Sequence, residues 1–211
     1  MRIATTGHLV AFMDDGKLTE ETTKNLVTVP VGAATQEDQN RRVEHIIFVC
    51  KEPEKKDKLF DLLNDIMKDE SDRIVVFMVR KQTVEDLASS LHLRGWPAVG
   101  IHGNKTEDEQ KWSLDAPRSG KAAILVAADV AARNVNTASV HFVVSYDYPS
   151  NPDEYPCRLK HVTLPDVAAR KYMFLKPHDY VHAREIITFF QQTNQAIAPQ
   201  LSKVANMASG K

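Results

Sequence analysis

Four short apolar runs, each closed by a polar turn, constrain this chain more than any other feature. They sit inside Arg73-Ile-Val-Val-Phe-Met-Val-Arg80, Gly95-Trp-Pro-Ala-Val-Gly-Ile-His-Gly103, Ile124-Leu-Val-Ala-Ala-Asp-Val-Ala-Ala-Arg133 and Val143-Val-Ser-Tyr-Asp-Tyr-Pro149. A strand with one wet face alternates apolar and polar residues. Unbroken apolar runs mark strands covered on both faces, the habit of parallel sheets. Helical spacing fills the intervals. Leu59, Leu62, Leu63 and Ile66 make one apolar face, and Val84, Leu87, Ala88 and Leu91 make another. His45 to Cys50 reads as an earlier strand, Tyr172 to Leu175 as a late one, and Ala183, Ile186, Ile187 and Phe190 line a closing helix. Thr106 and Glu109 have capping-box spacing. This alternation implies an α/β fold with a parallel sheet flanked by helices.

Composition narrows the classes. The chain has 211 residues, enough for a substantial core, with 43% hydrophobic and 26% charged residues. A net charge of −1 gives no global basic field for nucleic acid. Two cysteines, Cys50 and Cys157, without a C-x-x-C pair, argue against a disulfide framework or zinc module. No apolar stretch approaches the roughly 20 residues that span a bilayer, so no membrane role is expected. No signal-peptide core follows Met1, which points to the nucleus or cytoplasm rather than secretion.

The N-terminal part differs. Residues 17–24 and 33–42 are polar, and Leu26 to Val31 is a short apolar island. Residues 1–42 are expected to lack an independent core, with one helix-like piece around His8 to Met13. Residues 43–201 form the main domain and 202–211 a tail.

The main domain resembles the second RecA-like domain of DEAD-box RNA helicases, a three-layer fold of the P-loop NTPase type. Gly95-Trp-Pro-Ala-Val-Gly-Ile-His-Gly-Asn-Lys105 resembles G-W-P-A-x-G-I-H-G-D-K, and Thr193-Asn-Gln-Ala-Ile-Ala-Pro199 resembles A-N-Q-x-I-N-P. Ile3-Ala-Thr-Thr-Gly-His-Leu-Val-Ala-Phe12 resembles a first-domain motif of the same family, I-A-T-P-G-R-L-I-D-F. D-E-A-D and S-A-T do not follow it, which suggests a large internal deletion.

The resemblance implies ATP-dependent RNA helicase activity for the family, but the chemistry is altered here. Phosphoryl transfer needs a phosphate cradle, a Mg²⁺ ligand and a water-positioning group. The Gly120-Lys121 pair lacks the rest of a P-loop, because Ala122 follows it and Asp115 stands at the first glycine position. The family's H-R-x-G-R-x-G-R falls on Cys157-Arg-Leu-Lys-His-Val-Thr-Leu164. Arg158 matches the first arginine, while His161 and Leu164 replace the two that meet the γ-phosphate. A neutral leucine cannot stabilise transition-state charge, and losing such a finger costs on the order of 10³–10⁵ in rate. In Ala127-Ala-Asp-Val-Ala-Ala-Arg-Asn-Val-Asn136, Asp129 and Arg133 are retained but Ala128, Asn134 and Asn136 are substitutions. Asp129, Arg133 and Arg158 read either as an internal ion-pair network or as remnants of a nucleotide site. No intact catalytic residue, no metal site and no bound cofactor are expected; ATP and Mg²⁺ enter only if a first domain is supplied in trans.

On the RNA side, Arg80 stands at a phosphate-binding threonine position, Lys81 follows, and Gly103 keeps a backbone amide contact. Glu107 and Gln110 occupy a Q-x-x-R pair. The expectation is weak, non-specific RNA binding through Arg80, Lys81 and Gly103, or a protein partner. Arg80 and Lys81 read equally as a solvated helix start. His178 and His182 have two-histidine metal spacing but read as a solvated helix face, and Trp96 and Trp112 as packing residues. Three functions follow: an ATPase-inactive binding module, a helicase half acting with a separate first domain, or a decayed duplicate.

Overall fold

The computed structural model describes residues 8–13, 27–29, 43–128, 140–152, 154, 155, 158, 169–192, 197 and 199–207. The chain divides into two compact units, Met1–Glu54 with Pro165–Lys211, and Lys55–Leu164.

In the first unit, β1 (His8–Met13) runs parallel to β3 (Val43–Val49), with Val10 opposite His45, and antiparallel to β2 (Val27–Val29). β3 in turn pairs in parallel with β8 (Ala169–Leu175), which places Phe48 beside Phe174. Their rings stack at 5.1 Å. The helix-like piece expected at His8 to Met13 is therefore a strand. Six residues are too few to hold a helix in water, whereas the edge of β3 offers a full set of backbone partners.

Helix α4 (Tyr180–Gln192) buries Ala183, Ile186 and Phe190, and the Phe190 ring meets His45 of β3 edge-on at 5.2 Å. Ile187 is only partly buried. A further helix, α5 (Pro199–Asn206), packs on α4 through Leu201, Val204 and Ala205. The Arg184 guanidinium donates to the Ala205 carbonyl at 3.1 Å, satisfying an acceptor at the end of α5. His178 lies in a turn before α4, and His182 Nδ1 sits 2.8 Å from Asp179. No group of three metal-ligating side chains occurs among the described residues.

The second unit carries the four runs noted first. They form a parallel sheet in the order β7 (Phe142–Ser145), β4 (Ile74–Met78), β6 (Ile124–Ala128), β5 (Ala98–Ile101). Every residue of β4 and β6 is buried. Burial at consecutive positions means that both faces are covered, as the unbroken apolar runs predict. Helix α2 (Lys81–Leu93) lies on β4, β5 and β6, and α3 (Glu107–Arg118) on β5 and β6. Each fully buried Val, Leu, Ile or Phe of these elements contributes about 1.5–3 kcal/mol relative to exposure. Helix α1 (Lys55–Ile66) is tied to the end of α2 by Arg94, whose guanidinium lies 3.8 Å over the Phe60 ring.

The capping box forms as its spacing predicts: the Thr106 hydroxyl accepts from the Glu109 amide while the Glu109 carboxylate accepts from the Thr106 amide. Pro117 is buried in the last turn of α3, which ends one residue later. The Arg73 guanidinium donates to the Pro117 carbonyl at 3.0 Å and so takes up an acceptor at the helix terminus. Trp112 is exposed on α3, not packed, whereas Trp96 is partly buried. No helix among the described residues is long and apolar enough to cross a membrane.

Candidate nucleic-acid interface

Parallel strands deliver their following loops to one end of a sheet, and two such loops build the candidate interface. β4 leads through Val79 to Arg80, the exposed residue preceding α2. Arg80 is extended and provides no side-chain cap; its carbonyl accepts from the Thr83 amide at 3.2 Å and the Thr83 hydroxyl at 2.9 Å. Lys81 opens the helix with an exposed ammonium. β5 leads into His102-Gly-Asn-Lys105, and α3 follows.

A few side-chain bonds hold the two loops together. Lys81 Nζ donates to Asn104 Oδ1 at 2.9 Å. Glu85, one turn into α2, has one carboxylate oxygen 2.9 Å from Lys105 Nζ and 3.3 Å from His102 Nε2. The Asn104 amide donates to His102 Nδ1 at 3.2 Å, so Nδ1 acts as acceptor and the ring proton sits on Nε2, facing Glu85. Lys105 Nζ also donates to the Gly100 carbonyl at 2.6 Å, and Ser113 Oγ reaches the same oxygen at 3.1 Å. Gly100 is required here: a Cβ would lie 2.6 Å from Glu85 Oε1 and 2.9 Å from Val84 Cγ1. Gly103 is exposed, and nothing approaches within 4 Å of a Cβ built there.

The three residues expected to meet RNA therefore share one exposed rim: Arg80 and Lys81 at the start of α2, and Gly103 in the loop tied to Lys81. Chemically the rim offers cations and open backbone, suited to phosphate oxygens. Acids bound it. Glu107, Asp108 and Glu109 are exposed on the first turn of α3. Glu109 has its carboxyl held below the ordinary range, first by the Thr106 backbone amide and then by the Thr106 hydroxyl.

The motif arginine Arg158 lies elsewhere in the second unit and is 1% exposed. Its Nη1 donates to the Asp147 carbonyl at 2.6 Å and its guanidinium lies 5.4 Å from the Phe77 ring centre. Burial pushes it down to about 9, so it stays charged at neutral pH. Tyr155 and Tyr148 pack beside each other at 5.5 Å, and burial drives the Tyr155 hydroxyl far upward. Asp147 also anchors Lys55: Nζ to Oδ1 is 2.9 Å, with Lys55 2% and Asp147 23% exposed. Its second oxygen accepts from the Val79 amide at 3.3 Å. The Lys55 ammonium lies 5.3 Å from the Tyr146 ring centre. Asp129, Arg133, His161 and Leu164 lie outside the described residues, as does any Arg158–Asp129 pair. The sequence did not single out Lys55, Asp147, Glu85, Asn104 or Lys105. Asn104 and Lys105 did lie inside the quoted Gly95–Lys105 segment, with Asn104 at the motif's Asp position, and Asp147 was the lone acid inside the Tyr146-Asp-Tyr-Pro149 run.

Comparison with known proteins agrees with the fold. The helicase conserved C-terminal domain family matches residues 54–185. Human "Probable ATP-dependent RNA helicase DDX17" is 36% identical over 171 residues, which is 81% of this chain and 24% of that protein. "ATP-dependent RNA helicase DBP2" of Chaetomium thermophilum is 32% identical over 173 residues, 81% of this chain and 31% of that protein. The chain thus spans about a quarter to a third of the length of these relatives. Among solved structures, the RNA helicase Prp28 from Chaetomium thermophilum bound to ADP superposes with a TM-score of 0.66 at 26% identity, over 75% of this chain and 39% of that one. The E. coli DEAD-box protein SrmB bound to RraA shares the fold at a TM-score of 0.63 and 21% identity, over 75% of this chain and 92% of that one. The chain belongs to the helicase conserved C-terminal domain family, as a RecA-like second domain of the DEAD-box kind.

Proposed function

We propose that this chain is a helicase-derived module that binds RNA weakly, without sequence preference, and does not hydrolyse ATP by itself. The observation that carries the RNA reading is the shared rim: exposed Arg80 and Lys81, with Lys81 tied at 2.9 Å to the loop bearing Gly103. Relatives are named as RNA helicases, and such a rim contacts the sugar-phosphate chain rather than base edges. With a net charge of −1 the attraction is local, so binding is modest and salt-sensitive. A filter-binding titration with a single-stranded oligouridylate should give weak binding at about 0.15 M salt. Replacing Arg80 and Lys81 together by alanine should weaken it roughly tenfold and lower the salt slope by about 1.4. Tight binding, or no change in the double variant, would contradict the reading.

The residues do not fit ATP chemistry. Of the motif positions facing nucleotide in the family, Arg158 alone is described here, and it is buried against Asp147 and Phe77. Leu164 brings no charge to the finger position. Steady-state phosphate release with RNA present should stay at background. Turnover that survives stringent purification and disappears in Arg158→Ala would overturn the inactive reading.

The length of the relatives favours a second reading, a helicase half that works with a first domain supplied in trans. ATP and Mg²⁺ would then be bound by the pair. Turnover that arises only when a purified first domain is added would favour it.

A further inference from the structure

Arg80 is exposed and extended, so where its guanidinium stands depends on how its backbone is held. Two clamps hold it. Ahead of it, the Thr83 amide and hydroxyl both donate to the Arg80 carbonyl, at 3.2 and 2.9 Å. Behind it, the Val79 amide donates to Asp147 Oδ2 at 3.3 Å. Val79 lies one residue past the end of β4, where the strand ladder stops and a side chain supplies the acceptor. Asp147 reaches that point because the chain leaving β7 stays beside β4: the Tyr146 amide donates to the Phe77 carbonyl at 2.9 Å. Two further struts fix Asp147. Lys55 Nζ holds its other carboxylate oxygen at 2.9 Å, and Arg158 Nη1 donates to its backbone carbonyl at 2.6 Å. Lys55 and Arg158 are 2% and 1% exposed, so both struts run through the interior of the same compact unit.

We propose that Asp147 is a positioning residue for the RNA rim: by holding the Val79 amide it sets the direction in which Arg80 leaves β4. The inference rests on the RNA reading above. It gives the retained motif arginine a task that needs no nucleotide, because Arg158 steadies the Asp147 backbone. Charge alone predicts a different outcome. Asp147 is an anion and Lys55 a cation, so by charge Asp147→Asn should tighten RNA binding and Lys55→Met should weaken it. Positioning reverses that order. An ammonium has donors and no acceptor, so in Asp147→Asn the amide turns its oxygen to Lys55 and its NH₂ toward the Val79 amide. Two donors then face each other and the clamp behind Arg80 is lost. In Lys55→Met the carboxylate remains and keeps Val79.

The test compares Asp147→Asn with Lys55→Met, using a short fluorescein-labelled oligouridylate at a temperature where both variants are folded by circular dichroism. Asp147→Asn should bind about threefold more weakly than the natural protein, as expected for one misplaced rim cation of the two. Lys55→Met should stay within about twofold. In an Arg80→Ala background the penalty of Asp147→Asn should vanish. Amide hydrogen exchange supplies a readout that needs no RNA. Measured against the strand amide of Val76, which corrects for global stability, Val79 should exchange about five- to tenfold faster in Asp147→Asn and at an unchanged ratio in Lys55→Met. Tighter RNA binding by Asp147→Asn, an unchanged Val79 ratio in it, or a penalty undiminished in Arg80→Ala would overturn the proposal while leaving the RNA reading intact. So would a Val79 amide of the natural protein no better protected than that of Lys81, a result that needs no variant to fold. No RNA binding by the natural protein would overturn both.

Discussion

Single residues in this chain take meaning from partners far away in sequence. Lys55 and Asp147 are 92 positions apart, yet their contact at 2.9 Å is the main described tie between α1 and the segment after β7. Lysine in a Lys-Lys-Asp-Lys stretch reads as solvated, and no local pattern reveals that one of these ammoniums is buried. Removing the buried Lys55 leaves the partly buried Asp147 carboxylate without its cation. Lys55→Ala should therefore cost about 3 kcal/mol in chemical denaturation, while Lys56→Ala, at an exposed position, should stay within about 0.5 kcal/mol. Gly100→Ala should cost about 1–3 kcal/mol, because Val84 is packed and cannot yield freely to the new methyl group. It should also displace the Glu85 carboxylate, so looser binding of Lys105 and His102 would appear as changed side-chain resonances. A variant as stable as the natural protein would show that this crowding is relieved at no cost.

At the scale of elements, what was legible in the sequence was what local periodicity encodes. β4 and β6 were readable because burial on both faces leaves an unbroken apolar run, and α1 and α2 because their buried residues repeat at helical spacing. β1 was misread as helical because its pairing with β3 is non-local. α5 went unnoticed although Pro199 occupies its first position, where proline is favoured, and Leu201, Val204 and Ala205 share a face. The candidate rim was half legible: Arg80, Lys81 and Gly103 stood out, but the Asn104 and Glu85 ties that join them depend on tertiary approach. The capping box of α3 was read correctly and can be tested. Thr106→Ala should cost about 1 kcal/mol. The Glu109 carboxyl is held below its ordinary value in the folded protein, so its contribution is fully present above the unfolded value and lost as pH falls through the folded one. The natural protein should thus lose part of its stability on acidification below the ordinary glutamate range, and Glu109→Gln should flatten that part of the profile. Identical acid profiles for the two proteins would count against the box as a charged device.

For the whole molecule, the proposed loss of hydrolysis would separate family membership from activity. The parallel sheet and its helices follow from apolar patterning, which many substitutions leave intact, whereas hydrolysis depends on a few charges that no packing can replace. That is why the fold could be read from the same segments whose arginines are missing. One feature of the rim also bears on how the molecule behaves in company. β5 is the outermost strand of its unit's sheet, and outermost strands invite other chains to add to them. The Gly100 carbonyl is already occupied by the Lys105 ammonium and the Ser113 hydroxyl, and the ammonium sets a charge beside it. The pair of side chains that steadies the rim thus also denies a neighbouring chain one rung of the ladder it would need. Protection of the β5 edge and anchoring of the loop after β5 rest on the same two bonds.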